Sequence, residues 1–480
     1  MNWQSIYRSK VVDVDTALAR IESDMRIYVG GGAGVPVTLI NGLVNRAPHV
    51  RNVEITHILT FAPAPYVNAM YADSFRHNAL FIGPSVRKAV QEGRADFTPV
   101  FLSEIPELFR TGTLPIDVAL ISLSPPDEHG FCSFGVEVGT TKPAAEAARV
   151  IIAEINPQMP RTLGDSFIHV SRLAHIVEAD YPLPEAPQGG SSALQLRVGE
   201  HIAELIPDGA TLQMGIGSIP DAVLSNLHNH KDLGIHTELF SDGVIDMVER
   251  GVITCSRKSF HPGKIVAGFL FGTQRLYEFV DNNPLIELHP TDYVNDPFNI
   301  AQNEKMVAIN SALQIDLTGQ VCADSIGTRF YSGAGGQVDF IRGAARSKGG
   351  LPIVAFTSTT RDETISRIVP VLTEGAGVVT SRNDVHYVVT EYGVASLHGK
   401  TVRQRVCELI NIAHPKFRDE LHAAAHEFGY CCRRGGSARR RRFAPTIASK
   451  LTPRGRKTGH LQRNNCARED VCSIDASTLY

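Results

Sequence analysis

The feature that most constrains this chain is a short unit that occurs twice. Residues 212–243 read LQMGIGSIPDAVLSNLHNHKDLGIHTELFSDG. An apolar pair leads into a glycine turn, Gly215-Ile216-Gly217-Ser218-Ile219-Pro220. A helical pattern follows, with Val223, Leu224 and Leu227 on one face, then a second apolar run over 234–240 that contains Glu238. Strand, turn, helix and strand in about 32 residues is the size of a βαβ unit. Residues 25–61 repeat the order: an apolar run at 25–29, the turn Gly30-Gly31-Gly32-Ala33-Gly34, a helix through Leu39, Ile40 and Leu43, and a strand over 53–61. Aligned on Pro36 and Pro220, the copies lie 184 residues apart. A repeat on that scale predicts an internally duplicated α/β chain of two similar domains.

Residues 182–192 (PLPEAPQGGSS) carry the linker composition expected between the copies. The predicted division is 1–187, an N-terminal α/β domain; 188–430, a C-terminal α/β domain; and 431–480, a basic tail. Twelve Lys/Arg against three acids in 431–480 leave the body acidic, although the whole chain sums to −3. The tail lacks apolar periodicity and is expected to be disordered; its charge run reads as solvated rather than as a nucleic-acid arm. The body offers no basic footprint for nucleic acid. No run approaches the roughly 18–20 apolar residues of a membrane helix, and the first residues lack a signal-peptide core. A cytoplasmic location is the expectation. The eight cysteines include no CxxC pair, so neither a zinc ribbon nor a redox dithiol is indicated.

Three chemistries compete for the glycine turns. A dinucleotide fingerprint needs a third glycine for close helix–strand packing, with an acid about 20 residues on. Glu238 and Glu54 are suitably placed acids, but Pro220 and Val35 stand at the third-glycine position. A metal site would draw on His228, His230, His236 and Glu238; their spacing matches no metal-ligand pattern, and surface histidines explain them. No metal is expected. A nucleophilic carboxylate uses both parts of the unit: Glu238 attacks a carbonyl carbon, and N–H groups of the glycine turns stabilise the oxyanion. A two-carboxylate glycosidase lacks an evident partner acid.

Seven segments give the chain a resemblance. They are YVGGGAGVP (28–36), SPPDEHGFCSFG (124–135), MGIGSIP (214–220), GIHTELFSDG (234–243), SGAGGQVDFIRGA (332–344), VVTEYGVASLHGK (388–400) and IAHPKFRDEL (412–421). In this order they resemble the family I CoA-transferases, and more closely the acetyl-CoA hydrolase/transferase group that includes 4-hydroxybutyrate CoA-transferase. The resemblance implies two α/β domains with the active site at their interface. It implies that Glu238 is the catalytic glutamate, that Gly215, Ile216, Gly217, Ser218 and Ile219 form the CoA-binding segment, and that Gly335 and Gly336 meet the bound thioester. It implies acyl-CoA and small carboxylic acids as substrates, coenzyme A as substrate with no cofactor, and a homodimer. Acyl-CoA hydrolysis and non-catalytic CoA or metabolite binding are the alternatives. The tail resembles nothing in the group.

Overall fold

A computed structural model describes residues 2–186 and 190–430. The predicted boundary at 187/188 and the basic tail at 431–480 lie outside the described residues.

Seven parallel strands build the first sheet: β1 (Arg26–Val29), β2 (Val53–His57), β3 (Phe75–Ala79), β4 (Asp96–Phe97), β5 (Val118–Leu123), β6 (Val150–Ile155) and β7 (His175–Glu178). Their spatial order is β4-β3-β2-β1-β5-β6-β7. The second sheet holds β8 (Thr211–Met214), β9 (Gly234–Phe240), β10 (Ile265–Leu270), β11 (Ile286–Leu288), β12 (Met306–Asn310), β13 (Leu351–Ala355), β14 (Tyr387–Thr390) and β15 (Gly393–Ser396). Its order is β11-β10-β9-β8-β12-β13-β14-β15, parallel but for the antiparallel β15 at the edge. Without β15 the two orders are the same. The duplication inferred from two glycine turns therefore extends to whole sheets.

Central strands such as β5 and β10 are buried along their full length, as parallel strands covered on both faces must be. One hydrophobic cluster runs from Tyr28, Ala119 and Ile121 in the first sheet to Leu212, Phe240, Phe269 and Ile353 in the second. Backbone bonds also cross between the lobes: Leu270 donates to Val136 O (2.8 Å), and Gly139 donates to Gly268 O (3.0 Å). The lobes share a core, which fixes the edges of one sheet against the other. No helix among the described residues is long and apolar enough to cross a membrane.

In each lobe the first strand lies between the second and the fifth, so the chain reverses its direction of travel there. That is a topological switch point, and its crevice opens beyond the carboxyl ends of the strands. The glycine turns follow those first strands, after Val29 and after Met214.

Candidate active site

β8 and β9 pair for only two residues, Thr211 with Gly234 and Leu212 with Ile235. Beyond that they separate. Thr237 fills the gap, its Oγ1 accepting from Met214 N (3.3 Å) and donating to Met214 O (2.9 Å). The next residue, Glu238, is the half-buried position in an otherwise buried strand. Its carboxylate faces a cavity of about 290 Å³ between the lobes. Ile58, Leu59, Phe81 and Leu102 wall the cavity from the first lobe; Gln213, Ile309, Asn310 and Gly333–Gln337 close it from the second.

Two donors hold the carboxylate. Asn295 Nδ2 reaches Glu238 Oε2 at 3.0 Å, and the Gly336 N–H also donates to it. Burial outweighs both donors and pushes the Glu238 pKa up to about 7. Gly336 precedes helix α4 (Gln337–Arg346). A Cβ there would fall 2.1 Å from Glu238 Oε2 and 2.2 Å from Asn295 Nδ2, so glycine is required by close approach rather than by backbone angle. Gly335, at φ +55°, supplies the left-handed residue that turns the chain into place.

The partners are themselves positioned. Asn295 ends the short helix α3 (Thr291–Val294). His236, fully buried two residues before Glu238, donates from Nε2 to Val294 O at 2.8 Å. Burial holds its imidazole down to about 3, so it stays a neutral donor and fixes the end of α3. From α4, buried Asp339 accepts from Ser103 Oγ (2.9 Å) and N (3.3 Å) across the lobe boundary. Leu102 N donates to Gly335 O at 3.2 Å. The first lobe thus clamps the loop that presents Gly336 to Glu238.

The predicted site residues divide. Glu238, Gly215, Ile216, Gly335 and Gly336 line the central cavity; Ile216 and Gly217 line an adjoining one of about 690 Å³. Ser218 and Ile219 line neither. Ser218 accepts from Gln195 Nε2 through Oγ and from Ser191 Oγ through its carbonyl, and Ile219 packs against the core. Helix α2 (Ser218–Leu224) begins earlier than expected, putting Pro220 at its third position; an N–H there would have no intrahelical partner, so proline's lack of one costs nothing.

Other expectations need correction. Glu54 is no counterpart of Glu238. It sits at the amino half of β2, paired with Arg26 at 2.8 Å, away from the ligand edge. The histidines read as surface residues include fully buried His236. The three do not converge: His230 Nε2 bonds Ile206 O and His228 Nδ1 lies by Arg250. A different trio, His261, Glu287 and His289, brings possible ligand atoms within 4.8 Å. There the Glu287 carboxylate already pairs with His261 (2.8 Å) and Lys264 (3.6 Å). Asn295, Asp339, Ser103 and the apolar wall were not foreseen. They lie 57 or more residues from Glu238, and no sequence spacing links them to it.

Two duplicated α/β lobes built on parallel sheets are the fold class of the CoA-transferases. Residues 1–184 match the acetyl-CoA hydrolase/transferase N-terminal domain and residues 272–425 its C-terminal domain. The chain belongs to the acetyl-CoA hydrolase/transferase family. It is 54% identical over 421 residues to the 4-hydroxybutyrate coenzyme A transferase of Clostridium kluyveri, covering 88% of this chain and 98% of that one. It is 49% identical over 419 residues to the succinyl-CoA:acetate/propanoyl-CoA:succinate CoA transferase of Fasciola hepatica, covering 86% and 87%. The crystal structure of a 4-hydroxybutyrate CoA-transferase from Porphyromonas gingivalis superposes with a TM-score of 0.78 at 43% identity, over 89% of this chain and all of that one.

Proposed function

We propose that the protein is an acyl-CoA:carboxylate CoA-transferase of the 4-hydroxybutyrate, butyrate and acetate class, with Glu238 as its covalent nucleophile. The observation that carries this is the Glu238 carboxylate held by Asn295 and the Gly336 N–H on the wall of an otherwise mostly apolar cavity. Glu238 attacks the acyl-CoA carbonyl, and the thiolate leaves to give an acyl–glutamyl anhydride. The thiolate then attacks the glutamyl carbonyl, releases the free acid and leaves a glutamyl–CoA thioester. An acceptor acid runs the same steps backward. Gly336 N–H and the Asn295 amide are suited to stabilise the oxyanion formed at each stage. Coenzyme A is a substrate, and no metal or redox cofactor enters this scheme.

The body of coenzyme A is assigned to the larger cavity. Ile216 is common to both cavities, so the thioester end can reach Glu238 past the 215–217 turn, and Arg250 on the wall of the larger one is a cationic partner for phosphate. The assembly proposed with this reading is a homodimer, and the compartment the cytoplasm. The test is exchange with labelled acetate. Label appearing in acyl-CoA supports transfer; free thiol without exchange means hydrolysis; neither means a binding protein. Ping-pong kinetics, with parallel lines when both substrates vary, are expected.

A further inference from the structure

Relatives of this chain are named for acids with one carboxylate and for acids with two, so family membership leaves the kind of acid open. We propose, on the transferase reading above, that the central cavity selects by charge: it takes short acyl groups with an uncharged tail and rejects acids that carry a second carboxylate.

Three observations carry this. No residue lining the cavity, among those described, is lysine, arginine or histidine. The wall facing Glu238 from the first lobe is Ile58, Leu59, Phe81 and Leu102, with Phe269 and Ile309 from the second. The amides among the lining residues each have a partner within the protein: Gln213 Oε1 accepts from Ile309 N and Asn310 Nδ2, both at 3.1 Å, and Gln337 Nε2 donates to Ser311 O at 2.9 Å. The titratable groups at the site are acids, Glu238 in the cavity and Asp339 behind it. Arg87, which donates to Tyr331 O at 2.6 Å and lies over that ring, is outside the lining.

The reacting carboxylate of an acceptor escapes this penalty. It meets Glu238 as a neutral thioester, with the Gly336 and Asn295 donors beside it. A second carboxylate two to four carbons away meets hydrocarbon with no cation on the wall to pair with it. An ionised group buried without a partner is strongly disfavoured.

Succinate and its monomethyl ester separate charge from size, because they share a backbone and differ in one masked carboxylate. With butyryl-CoA as donor, kcat/KM for monomethyl succinate should exceed that for succinate by about 10²-fold or more. Butyrate should exchange readily. Leu59→Lys places an ammonium on a half-buried wall position whose stem can lie along apolar surface, and should move the ratio toward succinate by about tenfold or more. Succinate within about tenfold of its monoester in the wild-type enzyme overturns the charge rule while leaving the transferase reading intact. Failure of every acid, butyrate included, overturns the transferase reading and this inference with it.

Discussion

The two lobes share a strand order but use their glycine turns in opposite ways. Pairing aligns Arg26 with Glu54 in the first lobe and Thr211 with Gly234 in the second. Four residues on from these partners stand Ile58 and Glu238. One copy puts a buried isoleucine where the other puts the carboxylate. The turns differ in the same sense. In the first lobe Glu137, fully buried, accepts from Thr140 N at 3.1 Å, and a Cβ on Gly31 would meet Ile58 and Leu59 at 2.9 Å. That turn is filled by the protein's own side chains. In the second lobe a Cβ on Gly215 or Gly217 would meet nothing within 4 Å, and both residues line a cavity. Duplication thus yields one copy that serves as wall and clamp and another that holds the proposed nucleophile.

The largest effect expected from breaking this difference is at Gly336. Gly336→Ala keeps an ordinary backbone, since φ is −92°, yet pushes a methyl into Glu238 and Asn295. Turnover should fall about 10²-fold or more, the scale of a lost oxyanion donor, while the thermal midpoint changes little. Near wild-type kinetics in a folded variant would remove this loop from the chemistry.

Glu137→Ala probes the filled turn. It leaves the buried Thr140 N–H unpaired, which costs about 1–3 kcal/mol. Denaturant titration should show that loss with kcat changed less than about threefold. A large fall in kcat at unchanged stability would show that both turns take part in catalysis.

Glu238 itself should carry a stability cost. Its pKa lies near 7 rather than 4.5, so the folded state holds the proton more tightly than the unfolded chain. Stability from this group falls as pH rises from about 4.5 through 7, and the ionised carboxylate is a burden above that. Glu238→Gln should therefore unfold about 1–2 kcal/mol harder at pH 8, a figure reduced from the full shift because the group is half-buried. The gain should vanish below pH 4.5; equal stabilities at pH 8 would contradict the raised pKa. The smallest effect is at Asn295. On the proposal that the carboxylate is the nucleophile, kcat/KM should rise with pH through about 7. Asn295→Ala removes a donor to the ionised form and should move that limb up by roughly half a unit. An unmoved limb would mean that Asn295 does not act on Glu238.

What the sequence disclosed follows from range. The unit at 212–243 holds turn, helix and carboxylate within one local stretch, so its strand, its glycine cradle and Glu238 could be read together. The run over 234–240 is the observed strand to the residue, because an apolar segment bounded by turn residues has little choice. Glu54 misled because strand polarity, not spacing, decides which end of a strand meets ligand. Asn295 and the apolar wall were illegible because tertiary packing alone brings them to Glu238. His236 is misread when grouped with His228 and His230 of the polar loop; it lies within the run 234–240, and the strand turns it inward.

The central claim is that Glu238 becomes covalently joined to coenzyme A. A carboxylate is a weak nucleophile in water, and holding it against the thioester carbon can supply roughly 7–11 kcal/mol of the barrier. The direct measurement is peptide mass after incubation with acyl-CoA and no acceptor acid. The account predicts that the peptide containing Glu238 gains the mass of coenzyme A, that borohydride reduces the adduct and blocks activity, and that Glu238→Gln abolishes both. An adduct that forms equally on the Gln variant would contradict it. So would one that maps to another acid, such as Glu391, whose carboxylate is buried and bonded to Ser358 N and Oγ at 2.9 and 2.6 Å.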